Sequence, residues 1–199
     1  MKEWPLPADR TEGPQRDGIV LVGLGSGDPA GAGGLPPLGR VTHQLAELLG
    51  RPVLALDPEA GPDAAQLSLA AQARTHGGGW LAGLEVDVGL PLADGRRWAE
   101  ALGDWRQPAV LVIPAAQLPS GLPAAATALL RQWRVPLVGL LQWGGAWQED
   151  ARLQDGLPWL GQLAQDATAE AAGTAPAEGE AATRLAAAVA LRWRQLTQV

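Results

Sequence analysis

The sequence contains no cysteine, no phenylalanine and no tyrosine, and only one methionine. Without cysteine there is no disulfide, no thiolate metal ligand and no thiol nucleophile. Lysine is nearly absent as well: Lys2 stands alone against fourteen arginines. Its place in the polar leader leaves no lysine for a Schiff base or for gripping a phosphate. His43 and His76 are the only histidines, so a metal site built on several imidazoles would have to borrow carboxylates. No apolar run reaches the roughly 18 residues that a bilayer span needs. The first residues, "MKEWPLPADRTEGPQRDG", lack the apolar centre of a secretion signal. These absences lead to the expectation of a soluble, cytoplasmic protein that does not engage membranes.

What is present fits one folded unit. The 199 residues are 47% hydrophobic, enough for a single domain with a sizeable core. A formal net charge of −6 repels nucleic acid, which is excluded as a partner on that ground. Nine tryptophans supply all the large aromatic bulk, and they are read chiefly as core packing.

Residues 1–17 read as a disordered arm and 18–199 as one α/β domain. "GIVLVGLG" (18–25) predicts a buried strand, and the Gly/Pro-rich 25–37 a loop. Helical spacing over 38–50 ends on Gly50, a natural C-cap. "RPVLALD" (51–57) predicts a second buried strand, and 61–79 an alanine-rich helix stopped by glycines. Further strands are expected at 80–88, 108–114, 135–143 and within 156–163. Helices are expected at 94–105, with Asp94 as its cap, at 121–133, around 147–155 and at 181–196. Residues 169–180 read as a low-complexity linker. The strands are continuously apolar, which implies a sheet covered on both faces. The expected fold class is therefore a doubly wound, mostly parallel α/β sheet with helices on both faces.

In such a fold, ligands gather at the C-terminal ends of the strands. The glycines after the first strand, Gly23, Gly25 and Gly27 with Ser26, lie where backbone N–H groups and a helix N-terminus can hold an anion. Further on, "GLPPLGRVT" (34–42) sets Gly34 and Gly39 five apart, the spacing of G-x-x-x-x-G-K-[ST]. Arg40 stands in place of the lysine, Val41 in place of the hydroxyl that holds magnesium, and Thr42 comes one position late. Two prolines remove N–H donors from the loop, and Gly34 lies nine residues past Gly25. These departures favour a plain Gly/Pro connector whose glycines make turns.

Three longer stretches carry a broader likeness. "GRVTHQLAELLGRPVLALDPEAGP" (39–62), residues 98–143 and "GLPWLGQLAQDA" (156–167) resemble, in order, parts of the deviant P-loop group that includes dethiobiotin synthetase and the MinD/ParA-like ATPases. The resemblance implies a P-loop-type three-layer fold with ATP and magnesium as ligands. It places Arg40 on the phosphate-binding lysine, Asp57 near a carboxylate that assists magnesium and water, and Gln142 on a base-recognising asparagine. Each has a structural alternative: a solvated helix start, a strand end capping a turn, and an amide satisfied by nearby backbone. The shorter "VGLGSGDPAG" (22–31) is similar to the first loop of tetrapyrrole methyltransferases and of sirohydrochlorin chelatases, though Leu24 stands where the chelatase has its metal-binding histidine.

Arginine is a broad planar fork and does not replace lysine inside the loop's curl. Losing the lysine, the hydroxyl and two donors together costs several kcal/mol of transition-state stabilisation, a rate fall of roughly a thousandfold or more. The leading expectation is a non-catalytic binding or assembly module with a protein partner or a second copy of itself. The alternative is an enzyme that binds ATP or another phosphorylated ligand through Arg40. A tetrapyrrole-pathway enzyme is a third reading. Elsewhere, His43 near the loop, the cluster of Arg96, Arg97 and Arg106 with Trp98 and Trp105, and the two tryptophans of "QWGGAWQED" (142–150) are secondary candidates for acid–base chemistry, stacking and a ligand or partner wall.

Overall fold

The computed structural model describes residues 17–25, 36–76, 78–165 and 175–197. Five strands form one parallel sheet: β1 (Gly18–Gly23), β2 (Trp80–Asp87), β3 (Ala109–Pro114), β4 (Leu137–Trp143) and β5 (Trp159–Leu163). Their order is β2-β1-β3-β4-β5. All four pairings are parallel. The helices are α1 (Leu38–Leu49), α2 (Pro62–His76), α3 (Trp98–Asp104), α4 (Leu122–Gln132), α5 (Glu149–Gln154) and α6 (Ala175–Thr197). The chain leaves β1 toward one side and returns through β2 to β3 on the other. The reversal falls between β1 and β3, which makes their C-terminal ends the switch point of the fold.

Continuous apolar strands are buried on both sides, and two cores result. Leu38, Val41 and Leu45 of α1 and Leu185 and Val189 of α6 close on Ile19, Leu21, Val110, Val112 and Leu141. On the other face Ala65 and Leu69 of α2, Trp98 and Leu102 of α3 and Ala126 and Leu130 of α4 close on Val20, Val22, Leu111 and Ile113. Trp80, Trp98, Trp105 and Trp143 are buried in the core, with Trp105 edge-on to Trp98 at 6.1 Å, while Trp133, Trp147, Trp159 and Trp193 are half-buried and Trp4 lies outside the described residues. The Trp80 indole lies directly on Gly18, where any Cβ would collide with the ring.

Gly50 ends α1 at φ 61°, the left-handed turn a glycine takes without strain. Three expectations are corrected. Residues 51–57 do not form a full strand: only Val53 bridges, to Leu81 of β2, because Pro52 and Pro58 frame the segment and deny it donors. Asp94 does not cap α3. That helix starts after Arg97 without a side-chain cap, while Asp94 accepts the backbone N–H of Arg96 in a turn before it. Helix α6 begins at Ala175, inside the stretch read as linker, since its alanines and glutamates are good helix formers.

Candidate functional site

The C-terminal ends of β1 and β2 and the start of α1 meet at one place. Along β2 the side chains alternate, so Leu81, Gly83 and Glu85 face α1. Gly83 lets α1 come close: a Cβ there would lie 2.8 Å from Thr42 Oγ1 and 3.2 Å from the Leu38 carbonyl oxygen. Glu85 then reaches over the first turn of α1, and its carboxylate fills the space above Gly39 that a Cβ would take. Two residues on, Asp87 ends the strand. Its Oδ2 accepts the backbone N–H of Gly25 at 2.8 Å, and its Oδ1 accepts that of Gly89 at 2.7 Å. Arg97 holds the same turn from outside, its Nε donating to the Gly89 carbonyl at 3.0 Å.

Gly23, Gly25, Gly39, Arg40 and Thr42 therefore share one edge of the molecule. Ser26, Gly27 and Gly34 lie outside the described residues. Arg40 extends away from the first turn of α1 toward β4, with its guanidinium carbon 5.7 Å from the Trp143 ring centroid. Thr42 is fully buried, and its hydroxyl donates to the Leu38 carbonyl at 2.7 Å. His43, exposed, sits with Nδ1 2.8 Å from the Gly39 carbonyl oxygen.

Gln142 lies near the end of β4, next to the Trp143 that Arg40 covers. It is wholly buried. Its Nε2 donates to the Gly144 and Ala146 carbonyls at 2.9 and 3.1 Å. Its Oε1 is buried with no hydrogen-bond partner. Gly144 and Gly145 both take positive φ, 70° and 69°, turning the chain so that these carbonyls face back onto the amide. Asp57 is exposed, in the segment that follows the Val53 bridge to β2, and its Oδ1 accepts the Glu59 N–H at 2.9 Å.

The secondary candidates are held by structural contacts. Arg96 pairs with Asp94 at 2.8 Å and with Asp63 at 3.4 Å. Trp98 is in the core, which removes it as a stacking platform. Trp147 meets Trp159 edge-on at 6.2 Å, and Trp159 is in turn covered by Arg152 at 4.9 Å. Among the described residues no cluster of three or more His, Asp or Glu side chains is placed to hold a metal ion.

Glu85 and Asp87 are absent from the residues the sequence singles out. The signal was there: two carboxylates, two apart, closing the otherwise apolar "WLAGLEVD". The fold is a doubly wound parallel α/β domain of Rossmann-like form, and no helix among the described residues is long and apolar enough to cross a membrane. No family model matches the chain, and no curated protein is significantly similar to it.

Proposed function

We propose that the protein is a non-catalytic α/β binding or assembly module, built on a P-loop-like scaffold that has lost nucleotide hydrolysis. The observation that carries this reading is that two of the chain's own carboxylates, Glu85 and Asp87, lie at the edge where α1 begins. A helix N-terminus attracts an anion through its free N–H groups and dipole. Here the Glu85 carboxylate already lies over Gly39, and the Asp87 carboxylate already holds the Gly25 N–H. A phosphate brought to this edge would meet two negative charges at short range.

The residues present do not fit magnesium and a triphosphate. Arg40 is directed over Trp143, the Thr42 hydroxyl is tied to the Leu38 carbonyl, and the position between them is Val41. Phosphoryl transfer relies on positioned positive charge around the phosphates, whereas Arg40 lies over Trp143 and Arg97 donates to the Gly89 carbonyl. The protein would act by holding a protein partner or a second copy of itself; its acidic balance disfavours nucleic acid.

One observation favours the second reading, an enzyme or receptor for ATP or a similar phosphorylated ligand. The Gln142 Oε1 is a buried acceptor without a partner, at a strand end where ligands of this fold class bind. An amino group of a bound base would satisfy it. Calorimetric titration of the full chain with ATP and magnesium separates the two readings. The leading one predicts no heat of binding below millimolar concentration; micromolar binding lost in Gln142→Leu would support the second. Light scattering on the same sample measures whether a second copy is the partner.

A further inference from the structure

We draw no further inference here: the strongest candidate, the cavity of about 310 Å³ at the N-terminal edge of the sheet lined by Asp17, Arg51, Gly78, Gly79 and the Trp193–Thr197 end of α6, carries nothing, because Arg51 and Arg194 sit against the C-terminal ends of α1 and α6, whose partial negative charge together with the Asp17 carboxylate offsets theirs, and nothing in the structure shows what would occupy it.

Discussion

Asp87 and Gly25 are 62 residues apart in sequence and are joined by a 2.8 Å hydrogen bond from the Gly25 N–H to the Asp87 carboxylate. The bond ties the end of β1 to the end of β2, and the second carboxylate oxygen holds Gly89 in the turn toward α3. A charged acceptor gives each of these bonds more than an ordinary amide pair.

Replacing Asp87 with alanine removes both acceptors and leaves two half-buried N–H groups to find others. The expected cost is about 1–3 kcal/mol. Asp87→Asn keeps one carbonyl oxygen and should fall between the variant and the wild type. Urea denaturation of the three proteins measures this order. Equal midpoints would mean that the carboxylate does not fasten the turn.

Gly18→Ala puts a methyl group into the Trp80 indole, which is enclosed by the core and has no room to swing away. Overpacking of this kind costs about 1–3 kcal/mol. The pair Gly18→Ala with Trp80→Leu should be less destabilised than the sum of the two single changes, a coupling that a double-mutant cycle reads directly.

The strand and helix boundaries around this contact were legible in the sequence because burial on both faces leaves a continuous apolar run. "GIVLVG" and "AVLVIP" had no competing reading. The edge segment at 51–57 looked equally apolar, but a sheet edge offers pairing on one side only, and its flanking prolines decide the outcome. The candidate site was less legible. The glycines drew attention to a backbone cradle, whereas what fills the cradle's edge comes from Glu85, forty-six residues past Gly39 in the sequence. That contact depends on β2 lying beside β1, which local pattern does not state.

Arg40→Ala removes the stacking on Trp143, among the side chain's contacts. Such a cation–π contact at an exposed position contributes about 0.5–1 kcal/mol. Thermal denaturation would show a small fall, with nucleotide affinity unchanged. A large change in affinity would return Arg40 to a ligand-binding role.

Thr42→Val keeps the shape and removes the hydroxyl from a wholly buried position. The Leu38 carbonyl retains its place in the helix ladder, so no buried donor is left unpaired. A stability change within about 1 kcal/mol is expected. The variant's melting curve tests this, and a loss of magnesium-dependent behaviour would contradict the structural role.

The Asp94 carboxyl is held below its ordinary value of 3.8 by hydrogen bonds from the Arg96 guanidinium and then from the Arg96 backbone N–H. A carboxyl whose folded value is lowered contributes stability above its unfolded value, and that contribution is lost as pH falls through the folded one. The difference in stability between wild type and Asp94→Asn should therefore be present at neutral pH and vanish in strong acid. It should also shrink in high salt, because the group is exposed. A difference that grew on acidification would contradict the pairing.

The central claim is the proposal that the start of α1, with the Glu85 and Asp87 carboxylates beside it, does not support phosphoryl transfer. Phosphate release from ATP and magnesium by the purified full chain tests it most directly. The account predicts release no faster than the buffer control, in the wild type and in Arg40→Ala alike. Steady turnover by the wild type that disappears in Arg40→Ala would contradict it.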